Sequence, residues 1–214
     1  MGVMGGAGRA DRAKPNSGER GDVRIISGRL RGRDLGRVPP GVRPTTDRVR
    51  ESLFSSLGPL EGTRVLDLFA GTGALGLEAY SRGAEAVVFV ERSRRVAESL
   101  RRRLDALELE DSATVSLMQC DAAVALRRLD ESLQSPFHLV FLDPPYDADR
   151  SKNVRETTVT ALFASRLLDR HARVVVEGPT RHPLAPVAGA RVTHERRYGE
   201  TLLTWLEPVG AVEE

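Results

Sequence analysis

Apolar and polar positions divide the chain into stretches of different rhythm. Residues 1–21 (MGVMGGAGRADRAKPNSGERG) are Gly-rich and polar with no apolar period, which reads as a disordered tail. Residues 23–38 (VRIISGRLRGRDLGRV) are β-formers interrupted at Gly28, Gly32 and Gly36, the pattern of a small hairpin studded with arginine. Pro39, Pro40 and Gly41 then break the chain. Residues 43–58 (RPTTDRVRESLFSSLG) follow as a helix, with Thr45 or Thr46 as cap and Gly58 as stop. Its apolar positions Val49, Leu53, Phe54 and Leu57 share one face.

After Pro59 the rhythm alternates. Strands are predicted at residues 64–69, 86–90, 114–118, 137–142 and 173–177, and helices at 74–82, 93–107, 122–133 and 157–168. Continuous apolar strands separated by amphipathic helices specify a parallel sheet covered on both faces. Residues 191–197 and 201–207 flank Tyr198-Gly199-Glu200 and read as an antiparallel hairpin. The expected fold is therefore α/β: a doubly wound, mostly parallel seven-stranded sheet with a C-terminal antiparallel hairpin and a small N-terminal hairpin. The expected division is a tail at 1–21, a basic hairpin extension at 22–41, the main domain at 42–209 and a short tail at 210–214.

Charge changes this picture. Net charge is only +2, but residues 1–50 hold twelve Lys/Arg against five Asp/Glu while the remainder holds twenty against twenty-five. A basic head on a mildly acidic body suits a polyanionic partner, and Arg24, Arg29, Arg31, Arg33 and Arg37 are the candidate contacts. No run of eighteen apolar residues is present, so no membrane span is expected. The lone Cys120 and the lack of a secretory leader suit a reducing cytoplasm, and a monomer is expected.

Candidate chemistry begins at Val65–Ala79 (VLDLFAGTGALGLEA), where a glycine-rich turn joins the first strand of the alternating region to its helix. Gly71 and Gly73 carry no Cβ and let backbone approach a ligand. The segment Gly71-Thr72-Gly73-Ala74-Leu75-Gly76 also satisfies a dinucleotide fingerprint, so the turn alone fits a nicotinamide cofactor as well as S-adenosylmethionine. Asp67 helps to separate the two: a carboxylate near the end of an otherwise apolar strand is costly unless neutralised, and it would repel a pyrophosphate but not a sulfonium or ammonium. Glu91 closes the next strand, where a carboxylate can hold ribose hydroxyls of either cofactor. Asp121 stands where an adenine amine can be held, and it also reads as a helix N-cap. Phe69 and Thr45 complete the candidate cofactor set.

Asp143-Pro144-Pro145-Tyr146 directly follows the apolar run at 137–142. The exocyclic amine of adenine or guanine is a poor nucleophile because its lone pair is delocalised into the ring. An acceptor-only segment, built from a carboxylate and prolines that lack N–H donors, can take both N–H bonds and free that lone pair. Tyr146 offers a face on which an extruded base can stack.

The glycine turn and this motif together resemble class I methyltransferases of the amino-group type. With RIISGRLRGR (Arg24–Arg33) and RPTTDRVRESLF (Arg43–Phe54) in order before them, the chain resembles the bacterial 16S rRNA (guanine-N2)-methyltransferases of the RsmD family from about Arg24 to Glu207. The resemblance implies S-adenosylmethionine as cosubstrate, with contacts at Asp67, Gly71, Gly73, Glu91 and Asp121. It places the catalytic motif on Asp143, Pro144, Pro145 and Tyr146, and implies guanine N2 of 16S rRNA in the assembled small subunit as substrate.

No metal is expected, because His138, His171, His182 and His194 lack ligand spacing. Cys120 has no partner thiol and reads as inert core rather than a nucleophile. The competing readings are an adenine-N6 methyltransferase, a nicotinamide oxidoreductase and a non-catalytic ribosome-assembly protein. The first uses the same motif but commonly carries a separate duplex-reading domain, for which 67–143 leaves no room. The second explains the glycines but leaves Asp143–Tyr146 and the basic head unused, and the third would need no intact cofactor site. Removal of residues before Val38 is expected to spare folding and cofactor binding, since the hairpin reads as an extension.

Overall fold

Successive strand side chains point to opposite faces of the sheet and so sort the helices into two layers. The structure, a computed structural model, describes residues 22–38, 46–110, 112–132, 135–144 and 150–210. The elements run β1 (Asp22–Arg24), β2 (Asp34–Arg37), α1 (Asp47–Leu57), β3 (Arg64–Asp67), α2 (Ala74–Ser81), β4 (Ala86–Val90) and α3 (Arg94–Ala106). They continue as β5 (Val115–Met118), α4 (Ala122–Glu131), β6 (Phe137–Leu142), α5 (Arg150–Phe163), β7 (Leu168–Pro179), β8 (Ala190–Tyr198) and β9 (Thr201–Pro208).

The main sheet has seven strands in the order β5-β4-β3-β6-β7-β9-β8. β3 pairs in parallel with both β4 and β6, and among the described residues of this sheet the antiparallel pairings are those of β9 with β7 and β8. Neighbouring strand residues point to opposite faces. Val65, Leu139 and Val175 accordingly enter a core with Leu53, Leu77 and Leu100 of α1, α2 and α3. Leu66, Val140 and Val174 enter the opposite core with Leu126 of α4 and Leu162 of α5. Burial on both faces explains why these strands are apolar without alternation.

The expected fold class is observed, and several ends match their signals. Thr46 caps α1, its hydroxyl accepting the Val49 N–H at 3.4 Å, and Gly58 stops that helix at φ 66°. The largest differences in boundary lie around α5 and β7. The helix expected at 157–168 is α5 at Arg150–Phe163, and the strand expected at 173–177 starts at Leu168. The polar first turn of α5 carries no apolar period to mark its start. Leu167 and Leu168, read as helical, join the sheet: Phe137 N–H donates to the Leu167 carbonyl at 2.7 Å, and Leu168 pairs with Phe137.

The basic hairpin is built into the core. Val23, Ile25 and Leu35 are buried in the same cluster as Leu53 and Tyr80. Glu78, fully buried on α2, accepts the N–H groups of Ile26 at 2.7 Å and Ser27 at 3.0 Å, and Arg82 Nε at 2.7 Å. Ser81 accepts the Leu30 N–H on its hydroxyl and the Arg29 N–H on its carbonyl. Arg50, also fully buried, donates from Nη2 to the Arg24 carbonyl and to Asp47. A segment that supplies core side chains and satisfies a buried carboxylate packs as part of the domain, and these contacts argue against the expectation that its removal spares folding.

Candidate functional site

Strand order reverses between β3 and β6, and in open α/β sheets ligands bind beyond the carboxyl ends of strands at such a point. Asp67 is the last residue of β3, in register with Phe89 on β4 and Phe141 on β6. Asp143 stands one residue past the end of β6. The sheet therefore brings to one crevice two carboxylates far apart in sequence. Beyond the strands, Leu68 N–H donates to Phe141 O and Ala70 N–H to Val90 O, so the turn stays laced to both neighbours.

Gly71 and Gly73 both take the left-handed conformation, at φ 54° and 79°, which a side chain would strain. Gly73 N–H closes the turn on Ala70 O at 2.7 Å, and α2 begins at the next residue. A Cβ at Gly73 would meet Leu100 Cδ1 at 2.5 Å, and one at Gly76 would meet Phe89 Cε1 at 2.3 Å. The missing side chains at Gly73 and Gly76 thus serve close packing against α3 and β4.

Asp67 is 2% exposed, and its Oδ2 accepts the Gly76 N–H at 3.0 Å. Burial pushes its carboxyl up to about 7; the Gly76 hydrogen bond offsets part of the rise, and the charge of Glu91 adds to it. A carboxylate buried with so little compensation is costly to ionise, and a cation beside it would lower that cost. Glu91 is half-buried and pins the turn to β4: Oε2 accepts the Gly71 N–H at 3.1 Å and Oε1 the Ser93 N–H at 2.7 Å. Each oxygen keeps a second lone pair for a hydroxyl donor.

Asp121 is exposed and caps α4, Oδ1 accepting the Ala123 N–H at 3.0 Å. Phe69 is half-buried against the core on the α4 and α5 side. After β6, Asp143 is half-buried and Pro144 buried. Thr45, Pro145 and Tyr146 lie outside the described residues, as do the tail at 1–21 and residues 211–214. Burial pushes the Cys120 thiol up, the opposite of what a thiolate nucleophile needs.

The arginines of the head are exposed at Arg24, Arg29, Arg31, Arg33 and Arg37. Arg24 bridges Asp47 at 3.2 Å, and the Arg29 guanidinium lies 3.8 Å from the Tyr80 ring centroid. Sequence reasoning missed Glu78, which fastens the hairpin to the helix that carries the glycine turn. Its signal was a lone acid within the apolar run ALGLEAY. Arg103 was missed too; it ties α3 to β2 through the carbonyls of Leu35 and Arg37.

Residues 23–207 match the model of a family described as conserved hypothetical protein 95. The chain is 37% identical over 182 residues to the putative rRNA methyltransferase YlbH of Bacillus subtilis, covering 84% of this chain and 95% of that protein. It is also 37% identical over 187 residues to the ribosomal RNA small subunit methyltransferase D of Escherichia coli, covering 86% of this chain and 88% of that one. Among solved structures, the putative methyltransferase yhhF from Escherichia coli superposes with a TM-score of 0.72 at 32% identity, covering 88% and 98% of the two chains.

Proposed function

The chain belongs to the RsmD family, described as conserved hypothetical protein 95, and on that premise we propose that it methylates the exocyclic N2 amine of a guanine in 16S rRNA. The cosubstrate in this reading is S-adenosylmethionine, which supplies an electrophilic methyl group on a cationic sulfur. The substrate is the assembled small subunit, and the protein acts in the cytoplasm without a metal. The observation that carries the reading is the meeting of buried Asp67 and the Asp143–Pro144 segment at one switch point.

Asp67 fits the cosubstrate because its buried carboxylate is short of positive charge, with a carboxyl pushed up to about 7 by burial. A dinucleotide would bring a pyrophosphate to the same place, and the two anions would repel. Glu91 orders the glycine turn through Gly71 and retains lone pairs for ribose hydroxyls. Asp121 and Phe69 complete the described part of the pocket, with Gly71 and Gly73 shaping the turn.

Asp143 accepts an N–H of the target amine, and the proline beside it offers a carbonyl but no competing donor. With both N–H groups held, the nitrogen lone pair turns out of conjugation and toward the methyl group. The nitrogen gains a carbon bond, the sulfur takes the electron pair of the broken bond, and the nitrogen proton leaves to Asp143 or water. Most of the rate comes from positioning the reactants.

The test is nucleoside mass spectrometry of small subunits from cells lacking the protein, before and after incubation with the protein and S-adenosylmethionine. N2-methylguanosine should appear. N6-methyladenosine in its place would transfer the chemistry to adenine, and no new methylated nucleoside would refute the reading.

A further inference from the structure

Away from the strand ends, β2 and α3 lie side by side and leave a groove of about 570 Å³. Its walls carry Arg33 and Arg37 from the hairpin and Arg102 and Arg103 from α3, against one acid, Asp34. Arg103 is committed to the fold: it donates to the carbonyls of Leu35 and Arg37 and, at 3.1 Å, to Ser99 Oγ. Asp34 is turned to its own strand, accepting the Gly36 N–H at 2.7 Å. Arg33, Arg37 and Arg102 are exposed, and none has an ion-pair partner among the described residues.

Like charges gathered in one concavity repel each other and attract a polyanion. Guanidinium groups suit phosphates in particular, through paired planar donors. Helical spacing extends the patch, because exposed Arg95 lies on the same stripe as Ser99 and Arg102. From Arg102 to Arg95 the stripe climbs about 10 Å toward the start of α3. There the Ser93 N–H donates to Glu91, the residue that holds the glycine turn. The stripe of exposed arginine therefore runs from the groove toward the Glu91 end of the candidate site.

We propose that the β2–α3 groove holds the sugar-phosphate backbone of the RNA substrate beside its target nucleotide, with Arg33, Arg37 and Arg102 on phosphates and Arg95 leading the strand toward the site. This rests on the rRNA methyltransferase reading and adds α3 to the hairpin as a contact surface.

The experiment measures full-chain protein binding to 16S rRNA across a salt series, for wild type, Arg102→Ala, and Arg95→Ala with Arg102→Ala. Arg127→Ala, an exposed arginine of α4 in the opposite helix layer, makes the same charge change elsewhere. Removing one phosphate-binding arginine should flatten the slope of log affinity against log salt by about 0.7–0.9. KM for the rRNA should rise severalfold in the groove variants, with kcat, cofactor affinity and Tm unchanged. Arg127→Ala should match wild type. A wild-type slope in the double variant overturns the proposal, as does an equal effect from Arg127→Ala. Weakened binding to assembled subunits with unchanged binding to naked rRNA also overturns it, since the groove would then hold a ribosomal protein. Groove-dependent binding with no methylated nucleoside would defeat the activity and leave the groove standing. Methylation with slope and KM indifferent to the groove variants would do the reverse.

Discussion

Replacing Glu78 by Ala tests whether the hairpin is part of the domain. The carboxylate is fully buried and accepts hydrogen bonds from Ile26 N–H, Ser27 N–H and Arg82 Nε. Truncation leaves two backbone donors without an acceptor, at about 1–3 kcal/mol each. It also orphans the Arg82 guanidinium, and breaking a buried pair costs about 3–5 kcal/mol. Arg82 is 21% exposed and can turn to water, so its share is discounted and the total is set at about 3–5 kcal/mol. At about 2–4 °C per kcal/mol for a domain of this size, Tm should fall by roughly 10 °C. Glu78→Gln keeps the shape but presents an amide where one carboxylate oxygen stood, so it should fall between wild type and Ala. Urea denaturation gives the free energy, and hydrogen exchange at Ile26 and Ser27 shows whether the hairpin opens first. A loss under about 1 kcal/mol, with both amides still protected, would refute the latch, because surface changes are of that order. Truncation before Val38 removes Val23, Ile25 and Leu35 as well, and should destabilise further and weaken cofactor binding by loosening α2.

Asp143→Ala should bind S-adenosylmethionine within a few-fold of wild type yet lose about 10²–10³ in kcat, the cost of removing one preorganised polar partner; near-normal turnover would remove Asp143 from the mechanism. Cofactor affinity should rise about tenfold from pH 6 to pH 8, because a cation binds the ionised Asp67, whose carboxyl sits at about 7 in the free protein. Asp67→Asn should abolish that dependence, and a flat wild-type profile by calorimetry would sink the assignment. The same raised carboxyl means that stability from protonated Asp67 is full below about 4 and lost as pH rises through about 7, so cofactor-free wild type should weaken across that window relative to Asp67→Asn. Gly73→Ala should destabilise by about 1–3 kcal/mol, since φ is 79° and the new methyl meets Leu100; an unchanged Tm would show that the turn tolerates a side chain.

The amino-acid sequence alone determined the layered sheet, because its information there is local. Apolar runs bounded by caps specify buried parallel strands, and β6 is found at the expected residues 137–142. Thr46 and Gly58 delimit α1 by hydrogen bonding and backbone conformation within a few residues. The candidate site was legible for the same reason, since a glycine turn and an Asp-Pro segment each carry their chemistry in consecutive residues. Other features only the tertiary structure decided. Leu167 and Leu168 are equally good helix or strand residues, and pairing with Phe137 made them strand. The hairpin became core because buried Glu78, more than fifty residues away, accepts the Ile26 and Ser27 N–H groups beside Arg82 Nε. The arginines of α3 carry no sign of a partner in the sequence, and only the fold shows Arg103 reaching the carbonyls of Leu35 and Arg37 and bringing β2 alongside. Each of these rests on contacts between segments remote in sequence, where burial and hydrogen-bond satisfaction act on the folded whole and override local preference.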